Sequence, residues 1–298
     1  MKKLHVTPDD VSLRLDVFIA KQVPELSRAF IHKLNEQGDI TVNKKPGKPG
    51  YKLRIGDTVT LDYDLASIGQ TPDISIPIIY EDEDCVVIDK PIGLLSHSKG
   101  AFNPEATVAT WLAQKLSPGF LEDRDPADLN QRTGIVHRLD RATSGVMIGA
   151  KTPEALAWLQ KQFSTRRVKK TYQAIVGGHL EPAAAMIDMP IERNPKKPQT
   201  FRVGTNGKSA TTMYKTLSTN DRYSLLSLSP QTGRTHQLRV HLAHLGHPIV
   251  GDSFYGGEPA DRLYLHASTL ELTLPSHAHH SFTSSLPPSF KTFMKRSA

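Results

Sequence analysis

The 298-residue sequence contains a single cysteine, Cys85. A disulfide framework and a metal cluster held by several thiolates are therefore both excluded. Long apolar runs are missing too: no segment approaches the roughly 18 apolar residues of a membrane-spanning helix. The opening MKKLHVTPDD lacks the hydrophobic stretch of a secretory signal. We expect a cytoplasmic protein without membrane contact, in which Cys85 is a buried structural thiol.

Motifs for the common cofactors are also lacking. The sequence has no glycine-rich phosphate loop ending in Gly-Lys-Ser/Thr and no dinucleotide fingerprint after a strand. Four histidines cluster at His236, His241, His244 and His247, but no acidic ligand lies beside them in the sequence. We therefore expect neither a cofactor nor a metal ion.

Positive charge is absent from residues 64–84, which carry six acidic residues, and abundant elsewhere. Residues 1–63 have a net charge of +3 and residues 85–298 of +10, within a formal total of +7. Two basic blocks favour a polyanionic partner such as nucleic acid, although a basic chain also gains solubility from the same charges. The acidic, proline-containing strip predicts a linker at residues 66–80.

The residues on either side of that linker have different patterns. In residues 1–65, Phe30, Ile31 and Leu34 share one helical face that Gly38 is placed to end, and DITVNKKPG and DTVTLDY alternate as strands do. Residues 81–298 mix short β-like runs such as CVVIDK and TYQAIVGG with helical stretches such as PEALAWLQKQF. The sequence predicts an α+β fold: a small N-terminal α+β domain, then a larger domain with a largely antiparallel mixed sheet.

Asp140, in HRLDRATSG, stands between Arg138 and Arg141, with no second acid before Glu154. A carboxylate beside two guanidinium groups is expected to stay ionised, which suits a nucleophile or a stabiliser of developing positive charge better than a general acid. The small residues ATSG then lead into the apolar VMIGAK, so Asp140 should lie on a loop held by a buried element. A purely structural Asp–Arg pair explains the same residues equally well.

Several stretches match, in order, the motifs of one enzyme family. CVVIDKPIGLLSH, GIVHRLDRATSGVMIGAK, KKTYQAIVGG and QTGRTHQLRVHLAHLGHPIVGDSFYG resemble the RluA-type pseudouridine synthases, and RLYLHASTLEL matches their closing strand. In residues 1–65, RLD, LSRAFIHKL, GDITVNKK and IGDTV resemble the RNA-binding domain named after ribosomal protein S-four. The likeness covers about residues 85–275 and the N-terminal module.

The resemblance implies an isomerase that converts uridine in RNA to pseudouridine without a cofactor, with structured ribosomal RNA favoured over transfer RNA. Asp140 would be the catalytic residue, acting at the ribose or at the base. Arg234 would pair with Asp140, and Tyr172 would stack on the uracil. Two alternatives stay open: a noncatalytic RNA-binding ribosome assembly factor with the same fold, and a metal-dependent nuclease that uses the histidine cluster.

Basic residues in three places are candidates for phosphate contacts, although each also fits a solvated surface. They are Arg28, Lys33, Lys44 and Lys45 in the N-terminal domain, Arg138 and Arg141 beside Asp140, and Arg166, Arg167, Lys169 and Lys170 before Tyr172. We expect a monomer that binds RNA through these groups.

Overall fold

The structure, a computed structural model, describes residues 1–24, 26, 28–62, 73–97, 105–117, 120 and 134–296. The chain divides into two compact units: Met1–Ser75 with Leu95–Ile135, and Ile76–Leu94 with Val136–Ala298. Residues 66–72 of the predicted linker lie outside the described residues, and a strand begins at Ile78 inside its remainder. The domain boundaries 1–65 and 81–298 therefore stay predictions, because residues 95–135 group with the N-terminal unit.

The N-terminal unit is built on a four-stranded antiparallel sheet of strand order β1-β4-β2-β3. Its elements are β1 (Lys2–His5), α1 (Leu15–Gln22), α2 (Arg28–Gln37), β2 (Ile40–Val42), β3 (Lys45–Pro46), β4 (Thr58–Leu61) and, further along the chain, α3 (Val108–Ala113). Phe30, Ile31 and Leu34 are buried on α2, which confirms the predicted apolar face. Gly38, with φ of +85°, follows the end of that helix in the left-handed region that glycine adopts readily.

The second unit contains a nine-stranded sheet of order β5-β6-β7-β14-β8-β13-β12-β9, with β15 beside β14. Its strands are β5 (Ile78–Glu81), β6 (Cys85–Lys90), β7 (Ser144–Ala150), β8 (Lys169–Gly177), β9 (Ala184–Asp188), β12 (Thr211–Thr219), β13 (Tyr223–Pro230), β14 (Leu265–Thr273) and β15 (His279–Thr283). A separate hairpin joins β10 (Ile191–Arg193) and β11 (Phe201–Val203), and the helices are α4 (Pro153–Ser164), α5 (Gln237–His244) and α6 (Pro288–Arg296). Among the described strands only β7 and β14 pair in parallel, so the largely antiparallel mixed sheet is confirmed.

Strand β7 lies in the interior of the sheet, and all seven of its residues are buried. Burial on both faces explains why residues 146–150, VMIGA, are continuously apolar instead of alternating. Gly145 has φ of +116°, and a Cβ placed on it would lie 2.1 Å from the carbonyl oxygen of Ala267 on β14. The small residues before VMIGAK thus allow the close approach of two strands directly after the Asp140 loop. Cys85 is buried on the neighbouring β6, as predicted.

Candidate active site

Asp140 lies on the loop that leads into β7, and its side chain keeps 21 % of its surface exposed. The backbone N–H of Thr143 donates to the Asp140 carbonyl at 3.0 Å, which closes the turn before the strand. Leu139, next to it, is buried and anchors the loop. The expected arrangement, an aspartate on a loop held by a buried element, is therefore confirmed.

His137 fixes the start of the same loop. Its Nε2 accepts a hydrogen bond of 3.0 Å from the backbone N–H of Ile148 in β7, and its ring stacks on Phe163 of α4 with centroids 4.5 Å apart. Burial, assisted by the charge of Lys170, lowers the pKa of His137 to about 3. The imidazole is therefore neutral at physiological pH, as an accepting Nε2 requires.

Lys90, at the end of β6, ties a second segment to this loop. Its side chain is fully buried, and its Nζ donates to the carbonyls of Pro91 at 2.9 Å and Leu94 at 2.8 Å, with the carbonyl of Arg141 at 3.4 Å. Burial lowers the pKa of Lys90 to about 8. The peptide next to Asp140 is thus held by a lysine that has no access to solvent.

Arg239, on α5, makes the ion pair with Asp140. Its Nη1 donates to Oδ2 of Asp140 at 3.3 Å, while its Nε and Nη2 bind both oxygens of Asp252 at 2.7 and 2.8 Å. The side chain of Asp252 is completely buried, and that of Arg239 is 8 % exposed. Burial opposes the charge of Arg239, but its bonds to Asp252 and the charge of Asp140 raise its pKa overall. Asp252 therefore holds the guanidinium in one orientation, and the remaining nitrogen reaches Asp140.

The predicted pairing of Arg234 with Asp140 is wrong. Arg234 lies in the turn between β13 and α5, where its Nε donates to the carbonyl of Ser209 at 2.9 Å and its backbone N–H to Oε1 of Gln237 at 3.0 Å. Arg239, in contrast, is one of six consecutive buried residues of α5, at positions 237–242. Arg234 still lines the cavity that holds Asp140.

Tyr172 and Lys170 enter this cavity from β8. The cavity has a volume of about 660 Å³, and its lining includes both residues together with Asp140 and Arg239. Burial raises the pKa of Tyr172, with a smaller contribution from the charge of Asp140, so its phenol stays protonated. Burial also lowers the pKa of Lys170. Among the described residues that line the cavity, Asp140 is the single acid, beside the basic residues Arg138, Arg166, Lys170, Arg234 and Arg239.

The histidine cluster does not gather around a metal site in the described part of the chain, where no group of three or more potential ligands is found. The buried His241 has both ring nitrogens occupied, by the Thr212 hydroxyl and the Met189 carbonyl, each at 3.0 Å. His247 Nδ1 lies 2.8 Å from the carbonyl of Gly177. Within the same residues, no helix has the length and apolar character needed to cross a membrane.

Comparison with known families decides what this cavity belongs to. A family model described as RNA pseudouridylate synthase matches residues 84–244, which include Asp140, Tyr172 and Arg239. The chain belongs to the RNA pseudouridylate synthase family. A model of the S4 domain matches residues 13–59 at the N-terminus of the synthase. Both resemblances found in the sequence are thereby confirmed, and the enzyme is an isomerase that forms pseudouridine in RNA.

Similar proteins agree with this assignment. The synthase is 40 % identical over 248 residues to an uncharacterized RNA pseudouridine synthase of Aquifex aeolicus, covering 82 % of this chain and 77 % of the relative. It is 36 % identical over 289 residues to ribosomal large subunit pseudouridine synthase D of Escherichia coli, covering 91 % and 86 %. Among solved structures, human RNA pseudouridylate synthase domain containing 4 superposes with a TM-score of 0.57 at 28 % identity, covering 74 % of the synthase and 92 % of that chain.

The other basic residues singled out in the sequence of the synthase occupy different environments. Lys33, Lys44, Lys45, Arg138, Arg166, Arg167 and Lys169 are exposed. Arg28 is also exposed, but it donates to the buried Asp16 and so forms an ion pair within the N-terminal unit. The Nη1 of Arg141 lies 3.3 Å from the carbonyl of Gly93. Of the ten basic residues that the sequence suggested for phosphate contacts, Arg138, Arg166 and Lys170 line the cavity.

The sequence did not lead to two site residues of the synthase, Arg239 and Asp252, and suggested His236 only as a possible metal ligand. A signal for Arg239 exists, since it lies between Leu238 and Val240 in a helical stretch and a charge in that position needs a buried partner. Its partner Asp252 follows the apolar PIVG, but nothing in the sequence brings the two together. Their contact depends on the fold between β13 and β14.

Proposed function

We propose that this synthase modifies uridine in the RNA of the large ribosomal subunit, with Asp140 as its catalytic residue. The catalytic role of Asp140 is supported by the composition of the cavity, in which this one acid lies among five basic side chains. The basic groups suit the phosphates of an RNA strand, and the acid is held by Arg239 in a fixed position. The substrate class is supported by the similarity to ribosomal large subunit pseudouridine synthase D.

The reaction is an isomerisation, and its atoms balance without a co-reactant. The bond from ribose C1′ to uracil N1 breaks, the base turns, and C1′ joins C5. The hydrogen on C5 leaves as a proton, and N1 acquires one. The reaction therefore makes three demands on the site. A negatively charged group must lie beside the ribose and base, a surface must hold the detached uracil, and some group must transfer one proton.

Asp140 supplies the negative charge in this proposal. Its carboxylate is partly exposed to a cavity of about 660 Å³, a size that accommodates a single extruded nucleotide. Arg239 restrains the carboxylate, so its orientation is set before RNA binds.

Tyr172 provides the surface for the uracil. Its phenol is protonated, so it stacks as a neutral aromatic ring and keeps a hydroxyl hydrogen near the reacting base. Arg138, Arg166 and Arg234 line the same cavity and are assigned to the phosphates on either side of the extruded nucleotide. Extrusion costs a few kcal/mol, less in a loop than in a helix, and these contacts offset it.

The exposed Lys33, Lys44 and Lys45 of the S4 domain are assigned to more distant phosphates. Arg28, Arg141, Arg167 and Lys169 are kept as secondary candidates for the same role. Action in the cytoplasm and a monomeric state remain predictions from the sequence.

The substrate is tested by mapping pseudouridine in ribosomal and transfer RNA from cells with and without the gene. We expect one or more sites in the large-subunit RNA to disappear and to return when the wild-type gene is restored. Loss of sites only in transfer RNA or small-subunit RNA would contradict the substrate. Purified synthase with transcripts of each RNA provides the matching test in solution.

A further inference from the structure

His236 occupies an unusual backbone position at the edge of the cavity. It is the N-cap residue of α5 with φ of 57° and ψ of 19°, the left-handed region, and its side chain makes no capping hydrogen bond. Such a conformation costs a histidine free energy and persists only where the surroundings hold it. Here it places the imidazole between Asp140 and Tyr255, with Nε2 3.7 Å from Oδ2 of Asp140.

A chain of hydrogen bonds links His236 to Tyr255 and Phe201. The backbone N–H of Phe201 donates to the hydroxyl oxygen of Tyr255 at 3.0 Å. The single hydroxyl hydrogen of Tyr255 is then free to donate to Nδ1 of His236, 2.8 Å away. When Nδ1 accepts this bond, the proton of the neutral ring is on Nε2, the nitrogen that faces Asp140; in the other tautomer Nδ1–H would donate to the second lone pair of the Tyr255 oxygen.

The surroundings of His236 favour this neutral form. Burial lowers its pKa, and the nearby cations Arg239 and Arg138 act in the same direction, against the opposite effect of Asp140 and Asp252. The rings of Phe201, Phe254 and Tyr255 surround the imidazole with centroids 5.6 to 6.2 Å away. Together with the Tyr255 hydroxyl, these are the charged, titratable and aromatic groups that face the ring among the described residues.

We propose that His236 is a positioning residue that presents a neutral Nε2–H to Asp140 and that Tyr255 holds it in this tautomer. Both His236 and Arg239 approach the same oxygen, Oδ2. Among the described residues no hydrogen bond to Oδ1 is found, so in this proposal Oδ1 is left for the substrate. This inference rests on the proposed role of Asp140 and adds to it the group that orients the carboxylate.

The tautomer is measured directly by NMR on the full chain with 15N-labelled histidine, without RNA. The His236 signal is the one that disappears in His236→Gln. We expect a protonated Nε2 and an unprotonated Nδ1 at neutral pH. A proton on Nδ1, or a doubly protonated ring, would overturn the proposal, and this result is independent of which RNA is modified.

Tyr255→Phe tests the role of the hydroxyl in catalysis. Without its donor, Nδ1 accepts a proton more readily, so the pKa of His236 rises. A cationic ring would bind Asp140 more strongly and reduce its reactivity. When kcat is measured as a function of pH, we expect its decline on the acid side to move to higher pH by more than about half a unit, with KM nearly unchanged. If the acid-side decline of kcat in Tyr255→Phe occurred at the same pH as in the wild type, the proposal would be overturned.

Substitutions of His236 complete the test. His236→Ala should lower kcat about tenfold or more, and His236→Gln, which restores an N–H donor, should recover most of it. Adding Tyr255→Phe to His236→Ala should lower kcat no further, because the hydroxyl, whose other contact is the backbone N–H of Phe201, influences Asp140 only through the ring. Tyr214→Phe is the control: its hydroxyl donates to the carbonyl of Pro182, and Tyr214 is absent from the cavity lining. Two results would contradict the mechanism. One is a shift of the acid-side decline of kcat in Tyr214→Phe, and the other is an equal loss of kcat in His236→Gln and His236→Ala.

Discussion

Replacing Arg239 with lysine separates charge from geometry at the centre of the site. The guanidinium binds both oxygens of Asp252 and one oxygen of Asp140 at the same time. A lysine keeps the positive charge, but its single ammonium group cannot reach both carboxylates in this arrangement. Because Asp252 is completely buried, the ammonium should stay with Asp252 and the contact to Asp140 should be lost.

The size of the effect follows from that one contact. A hydrogen bond between charged groups contributes about 1.5–3 kcal/mol. If this free energy is lost from the transition state, kcat falls about ten- to a hundredfold. Stability should fall as well, by about 1–3 kcal/mol, since Asp252 keeps only part of its pairing. Arg239→Met, which leaves a buried carboxylate without a partner, should cost about 3–5 kcal/mol.

The assay uses RNA labelled with tritium at uracil C5, because each turnover releases that hydrogen to water. Arg234→Lys is the matched control, since Arg234 lines the same cavity but bonds to the carbonyl of Ser209, which a lysine can also reach. We expect Arg234→Lys to change mainly KM and Arg239→Lys mainly kcat. A larger loss of kcat in Arg234→Lys would refute the assignment of Arg239.

Two further predictions concern other parts of the molecule. His137 has a pKa of about 3 in the folded state, below the ordinary value of 6.5, so its contribution to stability is complete above pH 6.5 and is lost as the pH falls towards 3. Chemical denaturation at several pH values should show that the free energy of unfolding of the wild type falls more steeply between pH 6.5 and 3 than that of His137→Gln, by up to about 1.4 kcal/mol per pH unit. Equal slopes would contradict a ring that stays neutral in the folded protein. Replacing Lys33, Lys44 and Lys45 with glutamine should reduce the slope of log affinity against log salt by about two to three units, with kcat at saturating RNA unchanged. Lys291 and Lys295, which are exposed on α6, serve as the control. If their replacement lowered the salt slope by the same amount per charge, the effect would come from net charge and not from phosphate contacts of the S4 domain.

The sequence was sufficient for the features that depend on local pattern or on an ordered motif. The apolar face of α2 and the buried β7 follow from periodicity and from a continuous apolar run. The α+β class followed from the mixture of short β-like runs and helical stretches, and the family from motifs that occur in a fixed order. Asp140 was accessible to this reasoning because its neighbours in the chain, Arg138 and Arg141, make it an unusual carboxylate.

The partners of Asp140 could not be obtained in the same way. Arg239 is 99 residues away in the chain and reaches Asp140 from a helix in which residues 237–242 are all buried. Arg234 had been assigned to Asp140 from the resemblance, within the motif QTGRTHQLRVHLAHLG that also contains Arg239. The difference lies in Asp252, a buried acid that fixes Arg239 and has no local signature.

The most direct test of the central claim is the turnover of Asp140→Asn with tritium-labelled RNA. The substitution keeps the shape of the side chain and removes its charge, and Arg239 retains both bonds to Asp252, so folding and RNA affinity should stay near those of the wild type. We predict that no tritium is released above the background without enzyme. Turnover within about tenfold of the wild type, a loss of no more than about 1.4 kcal/mol of transition-state stabilisation, would show that the charge of Asp140 does not carry the reaction.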